Sequence, residues 1–188
     1  MNVFYTASFT GKNKYQKYYD MVLRAIQSTG VDVVSPELGN YLDLLSESFK
    51  KRFTSNNQKL HYEAIRQGIT RADAVVIEIS NEDFQLGHEA TLAIQNKKYV
   101  LCLSIHEDFS QKIKNPYFIG AKYNEFDVEG IVANFIKLSS GEKYSTRFNL
   151  LLKPSQLKYL EKAAVKEGVN VSEYVRLLIE LDRSGRED

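Results

Sequence analysis

The feature that most constrains the fold is a pair of short apolar runs on either side of a helix-length segment. Residues 74–79 and 98–104 are nearly continuous in aliphatic and β-branched side chains, and residues 89–95 between them have helical composition. Strands without polar alternation are buried on both faces, which is typical of parallel sheets covered by helices. The sequence therefore predicts a β-α-β unit at the centre of the molecule.

The same rhythm continues in both directions along the chain. It predicts a three-layer α/β domain over residues 1–140, with a mostly parallel sheet of about five strands that is flavodoxin-like or Rossmann-like. Ligands of such sheets sit outside the carboxyl ends of the strands. The polar segment 37–59 is predicted to be a mobile insertion or a partial helix that covers the site. The other predicted elements are strands at 2–7, 31–35 and 123–126, helices at 14–28, 62–72 and 128–138, and a loop at 84–89.

Composition narrows the classes of function. No run of about 18 apolar residues is present, and residues 1–5 read as strand rather than as a secretory signal, so we expect a soluble, cytoplasmic protein without membrane contact. The single cysteine, Cys102, lies in an apolar run and is expected to be a buried, inert thiol. The histidines His61, His88 and His106 lack the spacing of metal ligands. Neither a metal nor a cofactor is therefore predicted.

The character of the chain changes after the small polar residues 139–141. Residues 145–184 are predicted to form a second domain with a strand at 147–152, a helix opened by Pro154 and a second helix with Ser172 as its N-cap. About 40 residues holding one strand and two helices leave too much surface exposed to bury a core alone. The tail is therefore expected to associate with another chain.

The sequence "SEYVRLLIE" in the last helix makes the segment of about residues 146–183 resemble the ribbon-helix-helix family. The resemblance implies that two chains pair their strands into one antiparallel ribbon over a four-helix core. In that family the outward residues of the ribbon enter the DNA major groove, and here those positions are Arg147, Asn149 and Leu151. Because leucine offers only apolar contact and the charges of the tail are mixed, a homodimer is favoured, with DNA binding as the alternative.

Two carboxylates, Asp83 and Glu89, follow the predicted central strand, with Gly87 between them. A carboxylate at the end of a strand can attack the anomeric carbon of a glycosidic bond and hold the sugar covalently until water or a second acceptor arrives. Gly87 would let the backbone approach a ligand closely, and the positive end of a helix dipole would keep Glu89 ionised. The competing interpretation is that these acids only cap a helix.

Three segments resemble the site segments of the nucleoside 2-deoxyribosyltransferases and their deoxynucleotide N-hydrolase relatives over about residues 3–138: "VFYTASFTGKNKYQKYY", "ADAVVIEISNEDFQLGHEATLAIQNKKYVLCLS" and "IKNPYFIGA". The resemblance implies that Glu89 is the nucleophile and that Asp83 holds the sugar 5′-hydroxyl. The hydrolases have a serine at the position of Asp83, and a carboxylate there repels phosphate, which favours an unphosphorylated nucleoside. Asn115 matches an asparagine that the transferases donate across a subunit interface, which implies a homo-oligomer.

The resemblance also implies that an aromatic residue of the first strand lines the site. Phe4 and Tyr5 both fit this place, and Tyr5 is preferred because its hydroxyl can orient the carboxylate. The family aspartate that contacts the base falls on Ile65, which cannot exchange protons. Either His88 or a residue of segment 37–59 supplies that acid, or the activity is weak, lost or redirected.

These observations leave three functions open. The first is an enzyme that cleaves or exchanges the N-glycosidic bond of a nucleoside through Glu89, with Tyr5, Asp83, Gly87 and Asn115 binding the substrate. The second is a regulator that senses a nucleoside or nucleotide and binds DNA through its tail. The third is a glycohydrolase of another ribosyl compound. The carboxylate pair and the three segments together favour the first.

Overall fold

The computed structural model describes residues 1–141 and 150–184, and the chain divides into two compact units, Met1–Lys143 and Tyr144–Asp188. The strands of the first unit are β1 (Asn2–Ala7), β2 (Asp32–Val34), β3 (Ala74–Glu78), β4 (Tyr99–Ser104) and β5 (Phe118–Lys122). They form one all-parallel sheet in the order β2-β1-β3-β4-β5. The predicted parallel sheet of five strands is confirmed, and its strand order is that of flavodoxin-like folds.

Helices cover both faces of this sheet and give the three predicted layers. They are α1 (Lys12–Ser28), α2 (Glu47–Arg52), α3 (Asn57–Arg71), α4 (Phe84–Gln95) and α5 (Val128–Ser139). One hydrophobic cluster joins the sheet to α1 and α5, and a second joins the opposite face to α3 and α4. All five residues of β3 are buried, because adjacent side chains of this strand enter different clusters. This explains why its sequence shows no polar alternation.

The prediction of a loop at 84–89 is wrong, because α4 already begins at Phe84. Asp83 is its N-cap, and its Oδ1 accepts a hydrogen bond of 2.9 Å from the backbone N–H of Gln85. A cap at this position satisfies an otherwise orphaned amide and starts the helix five residues earlier than its apolar pattern indicates. Gly87 therefore lies within the helix rather than in a loop.

The predicted position of the last strand is also wrong. β5 spans Phe118–Lys122, whereas the segment predicted as extended, 123–126, is a turn. Asn124 organises that turn, since its Oδ1 accepts from the backbone N–H of Phe126 at 2.7 Å and its Nδ2 donates to Asp127 Oδ2 at 2.7 Å. A side chain that bonds to nearby backbone favours a turn over a strand.

Segment 37–59 is the partial helix of the two predicted alternatives. It holds the end of one 3₁₀ turn (Pro36–Leu38), a second (Asn40–Leu44), helix α2 and the start of α3. Asn56 caps α3 by accepting from the backbone N–H of Lys59 at 2.9 Å. The polar residues of this segment therefore serve as helix caps and exposed faces.

The second unit contains α6 (Pro154–Lys166) and α7 (Val171–Ser184), which confirms the two predicted helices. The N-cap of α7 is Asn170 and not Ser172, because Asn170 Oδ1 accepts from the backbone N–H of Glu173 at 2.9 Å. Arg147 and Asn149 lie outside the described residues. Of the strand predicted at 147–152, only residues 150–152 are described, and these are not in a strand.

Candidate active site

The polar end of the first unit lies where the strand order reverses. β1 and β3 are neighbours, yet β1 leads into α1 on one face and β3 into α4 on the other. In doubly wound sheets, ligands bind at such a switch point, outside the carboxyl ends of the strands. Here hydrogen bonds link the residues that follow β1 to those that follow β3: Ser8 Oγ donates to Asp83 Oδ2 at 2.9 Å, and Asn81 Nδ2 donates to Ser8 Oγ at 2.9 Å and to Thr10 Oγ1 at 3.1 Å.

Asp83 fits both interpretations that the sequence left open. It caps α4 through one oxygen and reaches the loop after β1 through the other. The cap fixes the side chain at the start of α4, and a carboxylate oxygen has lone pairs for more than one donor. Asp83 can therefore accept a ligand hydroxyl without giving up its structural role.

Glu89 is almost fully buried, with 1 % of its surface exposed. Its Oε1 accepts from Gln85 Nε2 at 2.9 Å, and its Oε2 has no hydrogen-bond partner in the described part of the chain. Burial raises the pKa of Glu89 to about 7. The side chains of Gln85 and Thr6, which both approach the carboxylate as hydrogen-bond donors, oppose this rise, and repulsion by Asp83 adds a smaller one. An unpartnered buried oxygen is rare in proteins and calls for an explanation.

The sequence predicted that the helix dipole keeps Glu89 ionised, but the dipole is not the main influence on its pKa. Glu89 is the sixth residue of α4, and the dipole field falls off within the first turn. Desolvation is the largest influence and raises the pKa of Glu89, whereas the sequence predicted that this carboxylate stays ionised.

A chain of side chains approaches Glu89 from α3 and from the segment before it. Gln85 Nε2 lies 3.2 Å from His61 Nε2, and His61 Nδ1 lies 3.0 Å from Tyr41 Oη. Burial lowers the pKa of His61, which favours the neutral ring. No sequence pattern pointed to His61, although it lies one helical turn before Ile65, where the resemblance placed the missing acid.

Tyr5 does not orient Glu89. Its hydroxyl donates to the backbone carbonyl of Tyr19 at 2.9 Å, and its side chain belongs to the cluster beneath α1 and α5. Phe4 points to the opposite face, where it packs so closely that a methyl group on Gly68 would overlap its ring. Side chains alternate along a strand, so the residue of β1 on the Glu89 face beyond Phe4 is Thr6.

Asn115 is not brought to Glu89 within one chain. It precedes β5, at the amino end of the sheet, and its Oδ1 accepts from the backbone N–H of Tyr117 at 2.9 Å. His88 is exposed and stacks on Tyr62 with ring centroids 6.2 Å apart.

Gly87 borders a groove of about 440 Å³ between α4 and the segment that leads to β5. A methyl group added to Gly87 would meet no atom within 4 Å, so the glycine leaves this wall open. Asp83 lines the same groove, whose other walls include Ile79, Cys102 and Phe118. Asp83 and Gly87 thus share one concave surface, and Glu89 is not among the residues that line it.

A second buried carboxyl group, which was not among the predicted site residues, ends β3 on the other face of the sheet. Glu78 Oε1 accepts from Tyr123 Oη at 2.9 Å and from Ser80 Oγ, and Oε2 accepts from the backbone N–H of Ser80 at 3.3 Å. Burial raises the pKa of Glu78, while the hydrogen bonds from Ser80 and Tyr123 oppose the rise. A glutamate in an otherwise apolar strand was the signal for this site.

No protein-family model matches the sequence of this chain, and none of the curated proteins matches it significantly. Among the residues that the structure describes, no group of three His, Cys, Asp or Glu side chains is arranged to hold a metal ion. Within the same residues, no helix is long and apolar enough to cross a membrane.

Proposed function

We propose that this protein cleaves or exchanges the N-glycosidic bond of a nucleoside through Glu89. The observation that carries the proposal is the buried Oε2 of Glu89, which has no hydrogen-bond partner in the described part of the chain and lies near Thr6 at the carboxyl end of β1. A nucleophile needs a lone pair that no protein donor occupies, and a desolvated carboxylate oxygen provides one. Since Glu78 has donors on both oxygens, Glu89 is the better nucleophile of the two.

The reaction follows from this oxygen. Glu89 Oε2 attacks the anomeric carbon while the C–N bond to the base breaks, so that the electron pair of that bond leaves with the base. The product is a glycosyl ester on Glu89 and a base that takes up a proton. Water or a second base then attacks the same carbon and releases the carboxylate.

The polar residues at the β1–β3 switch point fit the sugar side of such a substrate. Ser8, Asn81 and Asp83 present hydroxyl, amide and carboxylate groups from the ends of β1 and β3. Glu82 precedes Asp83 in the sequence, and two neighbouring carboxylates disfavour an anionic phosphate. This supports an unphosphorylated nucleoside as the substrate class.

The test is chromatography of the full-length protein with a panel of deoxynucleosides, with and without a second free base. We expect base release or exchange that rises as the pH increases through about 7, where Glu89 ionises. Glu89→Gln should reduce turnover by at least roughly 10³-fold, and mass spectrometry of the parent enzyme should find the glycosyl adduct on the peptide that contains Glu89.

Glu78→Gln is the matched control, because it alters a buried carboxyl group on the opposite face of the sheet. Similar losses of turnover in both variants would show that activity depends on a buried carboxyl group in general and not on the free oxygen of Glu89. Nucleoside binding without turnover across the panel would contradict the enzymatic function and would support a nucleoside-sensing regulator.

We further propose that the second unit pairs two chains. Among residues 150–184 whose side chains are described, only Leu160 and Ala164 are buried. Exposed apolar side chains instead cover both helices: Leu157, Tyr159, Val165, Leu177, Leu178 and Ile179. Helices with unburied apolar faces gain stability by association.

Sedimentation of the intact chain tests this pairing. We expect a dimer that the double substitution Leu177→Lys, Leu178→Lys converts to monomer, whereas Glu161→Lys on the exposed surface of α6 leaves it intact. Monomer in the unaltered protein would refute the pairing. DNA retention that weakens with salt and is lost in Arg147→Ala would establish the alternative role of the tail.

A further inference from the structure

We propose that His61 is a positioning residue that acts through Gln85 to hold Glu89 with one oxygen bonded and the other free for attack. The inference rests on the proposed function, because only a nucleophile needs this arrangement. Its basis is the continuous chain of contacts from Tyr41 through His61 and Gln85 to Glu89.

The amide group of Gln85 decides the direction of every hydrogen bond in this chain. Its Nε2 lies near both Glu89 Oε1, at 2.9 Å, and His61 Nε2, at 3.2 Å. An amide nitrogen has two hydrogens and accepts none, so one hydrogen goes to each partner. His61 Nε2 must then be the acceptor, and the ring carries its hydrogen on Nδ1, which donates to Tyr41 Oη.

A protonated His61 would break this arrangement. Its Nε2–H would face the N–H groups of Gln85, and the amide would have to rotate so that its oxygen points toward the ring. That oxygen would then face Glu89 Oε1, which is tolerated only if Glu89 carries a proton. A protonated His61 therefore requires a protonated Glu89, whereas a neutral His61 is compatible with the ionised carboxylate.

The charged and titratable groups around this chain come from three elements. Tyr41 faces His61 from the 3₁₀ turn Asn40–Leu44. Burial raises the pKa of Tyr41, and the positive charge of Lys12 at the start of α1 opposes this rise. At the N-cap of α4, Asp83 repels the charge of Glu89, which adds to the rise in the Glu89 pKa that burial causes. Tyr41 is held beside α3 through this contact with His61, which gives segment 37–59 a part in the site.

The chain offers a matched control in a second tyrosine–histidine pair. Tyr15 Oη lies 3.2 Å from His106 Nε2, with the rings 5.9 Å apart and nearly perpendicular. The rings of Tyr41 and His61 are 5.5 Å apart in a similar geometry. Of the two pairs, only Tyr41–His61 is hydrogen-bonded to the amide that binds Glu89.

The experiment compares His61→Ala, His61→Gln and His106→Ala in the full-length protein labelled with ¹³C at glutamate carboxyl groups. We expect His61→Ala to move the NMR titration midpoint of Glu89 upward by at least roughly half a pH unit, because Gln85, which donates to Glu89, is no longer held in place by His61. His61→Gln keeps an acceptor near the position of Nε2 and should retain most of the parental midpoint. His106→Ala should leave it unchanged.

Kinetics provide the second readout. His61→Ala should lower kcat about 10- to 100-fold with little change in KM, and it should move the acidic limb of the pH profile in step with the NMR midpoint. An unchanged Glu89 midpoint in His61→Ala, or an equal shift in His106→Ala, would overturn the inference. Because the titration needs no substrate, its outcome is separate from a failure of the proposed function, which would appear as absent turnover in the parent protein.

Discussion

Two buried carboxyl groups lie at the carboxyl end of the same sheet, Glu78 on one face and Glu89 on the other. Desolvation raises the pKa of both. They differ in their partners: Glu78 receives donors on both oxygens, from Ser80 and Tyr123. Gln85 donates to Oε1 of Glu89 and Thr6 also approaches the carboxylate, but Oε2 has no hydrogen-bond partner in the described part of the chain. Burial alone therefore does not distinguish the two carboxyl groups, whereas the unsatisfied oxygen of Glu89 does.

The donors also have different structural consequences. Tyr123 and Ser80 tie Glu78 to the residues that follow β5 and β3, and Ser80 Oγ in turn accepts from the backbone N–H of Ile105 at 3.0 Å. Glu78 thus joins the ends of three adjacent strands. Such a network stabilises the fold only while each donor keeps its acceptor.

The largest expected difference is in the cost of removing each carboxyl group. Glu78→Ala should lower the free energy of unfolding by about 4 kcal/mol, because it leaves a cavity and three buried donors without an acceptor. Glu89→Ala at pH 8 should cost at least roughly 2 kcal/mol less, since a buried charge disappears with the side chain. Urea unfolding of both variants measures this, and equal losses would remove the distinction.

The next effect is the pH dependence of stability due to Glu89. Its pKa is about 7 in the folded protein and has an ordinary value of 4.5. Below about 4.5, both folded and unfolded forms carry the proton, so the group adds no pH dependence. Between 4.5 and 7 the folded form binds more protons, so the free energy of unfolding falls as pH rises, by about 3 kcal/mol in total.

Glu89→Gln should remove this contribution and leave the protein more stable than the parent at pH 8 but not at pH 4.5. Urea unfolding at the two pH values checks the difference. A parent and variant with parallel pH profiles would show that Glu89 is already ionised throughout this range, as the sequence alone suggested.

The smallest effect concerns single hydroxyl groups. Tyr123→Phe should cost about 2 kcal/mol, because the bond to Glu78 involves an ionisable acceptor, and Tyr5→Phe about 1 kcal/mol, because its acceptor is the backbone carbonyl of Tyr19. Thermal unfolding compares them. Neither variant should change turnover more than roughly threefold. A large loss of turnover in Tyr5→Phe would show that Tyr5 contributes to the site, although its hydroxyl is bonded to the backbone of Tyr19.

Local sequence predicted the parts of the fold that depend on local chemistry. The β-branched run of β3 predicted a strand buried on both faces, and Pro154 marked the start of α6. Where a cap overrode the apolar period, as at Asp83, the predicted boundary moved by several residues. The prediction for β5 failed because nothing in its short sequence shows that it pairs with β4, a long-range contact.

For the candidate site, the sequence by itself determined that two carboxylates, Asp83 and Glu89, follow the central strand. It did not determine the face to which Tyr5 points, because a shift of one residue along a strand reverses the side chain. The tertiary structure alone decided that Tyr41, His61 and Gln85 meet, since they come from three elements. It also decided that one oxygen of Glu89 has no donor in the described part of the chain, because satisfaction of a buried group depends on all the elements that surround it.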